Sequence, residues 1–323
     1  MDISLVTPAG KHTRAGNWTT AARWARILRC LGHRVNIAET DEHCDADMLI
    51  AVHAWRSRAS IERFGKIHPD RPLVVCLAGT DIYGFQHSHP HETLKSMELA
   101  GALVCLHDLV HLAIPKRFHR KLRVIHQSAL PLAAPRQPSV RTFDICVIGH
   151  LRDEKDPLRA AYAARLMPAQ SRLRIIQLGK AHNEKWAALA RKEMTGNDRF
   201  IWRGEVSGGL VRRQLSRSQV MVISSLAEGG ANVISESVVA GVPVIASSIE
   251  GNMGLMGTDY AGTYPAEDTA ALAALLMRAE SEPRFLAELG TQCDRRAPLF
   301  SPDREMDAWR MLLLELSPLS RAI

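Results

Sequence analysis

The stretch Ser224-Ser-Leu-Ala-Glu228-Gly-Gly-Ala-Asn-Val-Ile-Ser-Glu236, continued by Ser-Val-Val-Ala-Gly241-Val-Pro243-Val-Ile-Ala-Ser247, decides how this chain is read. Val220-Met-Val-Ile223 before it is a short apolar run, the composition of a parallel strand buried on both faces. Ala231 to Ala240 then has helical spacing, and apolar β-branched residues resume at Val242-Pro-Val-Ile245. The segment therefore predicts one βαβ unit. In open α/β sheets, ligands gather at the carboxyl ends of strands, where a following helix offers free N–H groups to an anion such as a diphosphate. Glu228 falls in the predicted loop, and Asn232 and Glu236 fall one turn apart on the helix. Carboxylates beside an anion site accept hydrogen bonds from hydroxyls, which points to the sugar and ribose of a nucleotide sugar.

The same alternation runs through the chain. Strands are expected at 3–6, 34–38, 48–52, 73–77, 102–106 and 121–125, with a helix over 19–31. Three prolines between 131 and 138 then predict a stiff linker. The pattern restarts with strands at 144–148, 174–178 and 200–202 and helices near 158–165 and 184–193, ahead of the opening segment. Two doubly wound domains are predicted, residues 1–138 and 139–300, followed by a last helix over 304–316.

Bulk properties agree. A chain of 323 residues suits two domains, and 46% hydrophobic with 23% charged residues suits substantial cores. No apolar run approaches the ~20 residues of a membrane span. The start at Met1-Asp2 shows no basic or apolar leader, so a cytoplasmic protein is expected. Six cysteines, at 30, 44, 76, 105, 146 and 293, are scattered without a CxxC pair and read as reduced thiols. The net charge of +7 raises a nucleic-acid-binding reading. The cations are spread along helical faces with few aromatics, and an enzyme handling anionic substrates accounts for them as well.

The Glu228–Glu236 pair resembles the Glu-x7-Glu motif of glycosyltransferase family four, of GT-B fold: two Rossmann-like domains facing across a cleft. The resemblance covers nearly the whole chain and implies that the C-terminal helical segment, 301–323, packs back on the first domain. It implies that Glu228 approaches the donor sugar and Glu236 the ribose, with Asn232 and Val233 beside them. Gly149-His-Leu-Arg152-Asp-Glu-Lys155 resembles the family's Gly-Arg-Leu…Glu-Lys segment, whose cations neutralise the leaving diphosphate; the arginine here is displaced by one position. Arg152 and Lys155 are the cations assigned to that task, which suits a mechanism with neither metal nor cofactor. Gly204-Glu205-Val206 resembles the turn whose backbone holds the base. Glu250 to Gly257 reads as a glycine-rich loop.

For the acceptor, Thr7 to Asn17 is a loop with two cations and two glycines running into a helix capped by Asn17, and it suits a small anion. Lys11, Arg14, Gly16, Asn17 and Thr20 are its candidate ligands. Ala78-Gly-Thr-Asp81 resembles the family's His-Gly-x-Asp turn with alanine in place of histidine, adding Asp81. His87, His89 and His91 alternate in what reads as a solvated loop without a further metal ligand; His107 and Asp108 are weaker candidates. Thr7-Pro-Ala-Gly10, Arg14-Ala-Gly-Asn17, Ala78-Gly-Thr-Asp-Ile-Tyr83, Val124-Ile-His-Gln-Ser128 and Gly251-Asn-Met-Gly-Leu-Met-Gly257 are together similar to the selenosugar synthases of selenoneine biosynthesis. That subgroup implies transfer of N-acetylglucosamine from its UDP-sugar to selenophosphate. The competing expectations are a UDP-sugar transferase acting on a saccharide or lipid hydroxyl, a UDP-sugar epimerase, and a non-enzymatic nucleotide- or nucleic-acid-binding module.

Overall fold

A computed structural model of the protein describes residues 1–8, 10, 16–40 and 45–317. The chain divides into two compact units: residues 1–128 with 228–232 and 302–323, and residues 129–227 with 233–301. Division at Ser128 falls ahead of the proline-rich stretch, because that stretch is bonded along the second unit. Gln137 N–H donates to Ser216 O at 3.0 Å and Ser139 N–H to Arg217 O at 2.9 Å. Arg212 Nη1 donates to the carbonyl of Leu130 at 3.1 Å.

The first unit holds six strands: β1 (Asp2–Val6), β2 (Arg34–Ala38), β3 (Met48–Val52), β4 (Leu73–Leu77), β5 (Ala102–Cys105) and β6 (Leu122–Val124). They pair in the order β2-β1-β3-β4-β5-β6, and every pairing is parallel. Alternate side chains feed two cores. Leu5, Ile50, Val74 and Val104 pack with Trp24 and Trp309; Leu49, Val75, Leu77 and Leu103 pack with Phe64 and Met97. Burial on both faces is why the central strands β3, β4 and β5 read as unbroken apolar runs. Helix Pro302–Leu316 belongs to this unit, and its Trp309 meets Trp24 of helix Gly16–Cys30 edge to face at 4.8 Å.

The second unit holds β7 (Phe143–Ile148), β8 (Leu173–Leu178), β9 (Phe200–Trp202), β10 (Val220–Ile223), β11 (Val244–Ser247) and β12 (Thr263–Tyr264). Their order is β12-β11-β10-β7-β8-β9, again all parallel. The chain moves outward from β7 to β9, returns to β10 on the other side of β7, and moves outward again. The crevice between β7 and β10 is thus the topological switch point, where an open α/β sheet binds ligands.

Three local expectations are corrected. The first helix begins at Gly16, placing Asn17 within its first turn instead of at the cap. The predicted glycine-rich loop is a helix, Glu250–Met256. Its Asn252 is buried and donates to Ser247 O and Ser247 Oγ, each at 3.0 Å, while Arg296 Nε donates to Leu255 O at 2.8 Å near its carboxyl end. Gly251 and Gly254 are buried within it. His91, expected in a loop, lies in helix Pro90–Leu99.

Candidate active site

At the switch point of the second unit lies a small, partly open pocket. Gly149 and His150 beyond β7, Ser224 and Ser225 beyond β10, Gln177 of β8 and Lys155 all line it. Close backbone packing builds its rim. A Cβ at Gly179, whose φ is +145°, would collide with the carbonyl of Gly149. Glycine is therefore required where the loop after β8 presses on the loop after β7. Gly179 N–H donates to Gly204 O at 2.8 Å, and Trp202 Nε1 donates to Gly179 O at 2.8 Å, which ties the Gly204 turn to the same stack. Glu205 beside it is exposed and Val206 half-buried.

Lys155 is brought in by a short 3₁₀ turn, Asp153–Lys155, that ends on Asp156 in the left-handed conformation at φ +42°. That turn is pinned to the exit of β10. Ser224 Oγ donates to Asp156 O at 2.9 Å, and Leu226 N–H to Glu154 O at 2.9 Å. Lys155 thus reaches the pocket on a fixed backbone. Arg152 pairs with Glu154, Nε to Oε1 at 3.2 Å, with its side chain 43% exposed. It does not line the pocket, and only Lys155 of the two expected cations does. Gln177 was missed in the sequence because it sits inside an apolar strand. It is buried, donates from Nε2 to Gly149 O at 3.2 Å, and leaves Oε1 without a partner in the pocket. Val233 and Glu236 lie in helix Asn232–Val239, both half-buried.

The segment Glu228–Asn232 belongs to the first unit, and contacts there hold it closely. A Cβ on Gly79 would collide with Gly229 N, and one on Gly229 with the backbone of Ala78 and Gly79. Only two glycines let these backbones meet. Gln127 Nε2 donates to Gly230 O at 2.8 Å and Arg23 Nη1 to Asn232 Oδ1 at 2.9 Å. Glu228 itself is buried at 9% exposure. Arg23 carries no motif in the sequence, and Gln127, within the Val124–Ser128 segment, was given no role of its own there.

Of the expected acceptor residues, Lys11 and Arg14 lie outside the described residues. Gly16 is exposed and Asn17 half-buried. Thr20 is buried, its hydroxyl donating to Gln127 Oε1 at 2.7 Å, so it supports the fold of this unit. Asp81 is fully buried. Its carboxylate accepts the backbone N–H groups of Ala54, Ala78, Gly79 and Ile82 at 2.8–3.1 Å. Four amides leave it little capacity for a ligand, and it shapes the turn after β4. Two buried histidines flank that turn. His53 Nε2 is 2.9 Å from Thr80 Oγ1, and His107 Nε2 is 3.3 Å from Tyr83 Oη. Burial lowers the pKa of His53 and pushes that of His107 down to about 4, so both are neutral near pH 7. His126 Nε2 lies 3.1 Å from Asp108 Oδ1. His87 and His89 are exposed, and among the described residues no group of His, Cys, Asp or Glu is arranged to hold a metal ion. No described helix is long and apolar enough to cross a membrane.

Two Rossmann-like units, the second with a pocket lined by Lys155 at its switch point, define an α/β protein of the GT-B fold. Residues 135–298, just over half of the chain, match the family of glycosyl transferases group 1, and the chain belongs to it. No curated protein sequence matches it. Among solved structures, Anabaena HepE in complex with UDP is similar at a TM-score of 0.78 and 14% identity, covering 98% of this chain and 100% of that one. HepE with UDP-glucose gives 0.75 at 14%, covering 97% and 99%. Sucrose-phosphate synthase from Thermosynechococcus elongatus gives 0.76 at 15%, covering 98% of each chain. At such identities the likeness establishes the fold.

Proposed function

We propose that this glycosyltransferase takes its sugar from a UDP-sugar, UDP-N-acetylglucosamine, and delivers it to selenophosphate. The observation that carries the donor half is the switch-point pocket of the second unit, with Lys155 on a pinned turn beside the Gly149–His150 backbone. HepE, similar over nearly its whole length, is described with UDP and with UDP-glucose. In the reaction, selenium attacks the anomeric carbon as that carbon's bond to the β-phosphate oxygen breaks. The bonding pair leaves on UDP, and Lys155 with the loop amides stabilises the charge that builds there. Water then cleaves the P–Se bond, releasing phosphate and the selenosugar. Glu228 and Glu236 accept hydrogen bonds from sugar and ribose hydroxyls, Asn232 and Val233 adjoin them, and the Gly204–Val206 turn takes the base. Arg152 serves only as a more distant cation.

Selenium in the anion is already a strong nucleophile, so orientation and leaving-group stabilisation are the main demands on the protein. A hydroxyl acceptor would instead require a base, and the His126–Asp108 pair is the observation that favours that second reading. Incubating the protein with UDP-N-acetylglucosamine and either selenophosphate or hydroxyl acceptors, with mass spectrometry of the products, separates the two. A selenium-bearing hexosamine formed together with UDP is expected. UDP release with hydroxyl acceptors alone would overturn the acceptor assignment, and no consumption of the UDP-sugar would overturn the donor.

A further inference from the structure

Val222 of β10, Val147 of β7 and Gln177 of β8 lie side by side, in register, across the sheet of the second unit. Register neighbours in a parallel sheet share a face, and all three residues line the switch-point pocket. This row is apolar apart from one carboxamide. Gln177 is 1% exposed, and its Nε2 donates to Gly149 O at 3.2 Å. A carbonyl can only accept, so the NH2 group must face Gly149, which turns Oε1 to the other side. That oxygen has no hydrogen-bond partner.

A buried acceptor without a partner is unfavourable and rare, so Oε1 calls for a donor in the pocket. A diphosphate is not that donor, because its ionised oxygens only accept. Of the polar side chains lining the pocket, Ser224 commits its proton to Asp156 O at 2.9 Å. Lys155 alone among them can donate but not accept. Its ammonium carries three N–H groups, enough to meet Gln177, a phosphate oxygen and a further acceptor together. No Asp or Glu is among the described residues that line the pocket. A carboxylate in the place of Gln177 would cancel the ammonium's charge. A carboxamide aims the ammonium and leaves that charge for the leaving group.

We propose that Gln177 is a positioning residue for Lys155: with a diphosphate in the pocket, Gln177 Oε1 accepts a hydrogen bond from Lys155 Nζ and holds the ammonium against the outer phosphate. Gly149 O fixes the carboxamide from its other side, so the orientation is set before the ligand arrives. This rests on the reading of the pocket as the diphosphate site for a UDP-sugar, and adds the residue that aims its cation. Gln177 acts on the substrate through Lys155.

The test is calorimetric titration of UDP, and of UMP, which lacks the outer phosphate, into the wild-type protein, Gln177→Leu, Lys155→Ala and the double variant. Leucine is close to glutamine in size and suits a place beside Val147, so the fold is expected to be kept, with melting temperature as the check. Loss of one hydrogen bond to a charged group weakens binding about 10-fold or more. Gln177→Leu is thus expected to weaken UDP by that factor, to leave UMP unchanged, and to cause no further loss in the Lys155→Ala background. Gln177→Glu, which keeps an acceptor but adds a negative charge, is the second variant and is expected to weaken UDP at least as much. UDP bound by either Gln177 variant as by the wild type, UDP and UMP weakened alike, or an equal loss for Gln177→Leu with and without Lys155 would overturn the proposal. Wild-type protein that binds no UDP would instead overturn the reading of the pocket on which it rests.

Discussion

Arg23 Nε lies 3.1 Å from Glu305 Oε1, a salt bridge between the first and last described helices of the first unit, with Glu305 fully buried and Arg23 largely so. Glu305 is the hub: Trp24 Nε1 donates to it at 2.9 Å and Ser128 N–H at 2.8 Å. Arg23 in turn bonds Asn232 and Gln127, and Gln127 bonds Gly230. The last helix is thus connected, through two side chains, to the segment that carries Glu228.

Removing the hub leaves the largely buried Arg23 guanidinium without its counter-charge and the Trp24 indole N–H without an acceptor. Glu305→Ala is therefore expected to destabilise the protein by about 3–5 kcal/mol, the range for breaking a buried pair. Arg23→Ala should cost a similar amount, and the double variant less than the sum. Urea titration of the three variants reads this. Additive losses would show that the two residues act apart.

The meeting of Gly79 with Gly229 gives a steric prediction. A methyl at either position collides with backbone, which cannot yield as a flexible side chain would. Gly229→Ala is expected to cost about 1–3 kcal/mol in stability, the scale of overpacking, and to lower turnover by displacing Glu228. Gly208→Ala, whose added Cβ meets nothing within 4 Å, is the control and should leave both unchanged. Equal behaviour of the two variants would refute the close-approach argument.

Acid should weaken the first unit through its histidines. Burial holds the His107 pKa at about 4 in the folded protein, against an ordinary 6.5. Because the folded value is depressed, protons bind the unfolded chain preferentially. The penalty is absent above about pH 6.5, grows as pH falls below it, and reaches about 3 kcal/mol near pH 4. His53 is shifted in the same direction by burial. Melting temperatures measured between pH 7 and 4.5 should fall more steeply for the wild type than for His107→Gln. Parallel curves would show that His107 is not the titrating group.

Much of the fold was legible because its strands are buried on both faces. Runs such as Leu73-Val-Val-Cys-Leu77 and Val220-Met-Val-Ile223 need no pairing information to be recognised. The strand order and the β7–β10 switch point were not legible, since neither leaves a local pattern. Polar residues whose partners come from distant parts of the chain were the hardest to read. Thr20 and Asp81 look like ligands in sequence, yet one is bonded to Gln127 and the other satisfied by four amides. Conversely, Gln177 and Arg23 carry no motif and became visible only through the partners that folding supplies.

Lys155 is the side chain expected to act on the leaving group. Lys155→Ala should lower turnover about 10²-fold, the scale of losing one donor to a developing charge, while Arg152→Ala, off the pocket, should have a smaller effect. Steady-state UDP release from the two variants decides between them. A larger loss for Arg152→Ala would reverse their roles.

A crystal structure of the protein with UDP tests the central claim most directly. The diphosphate is predicted to lie at the carboxyl ends of β7 and β10, against the Gly149–His150 backbone and within hydrogen-bonding reach of Lys155 Nζ. UDP bound elsewhere on the chain, or a β7–β10 crevice left empty at saturating nucleotide, would contradict it.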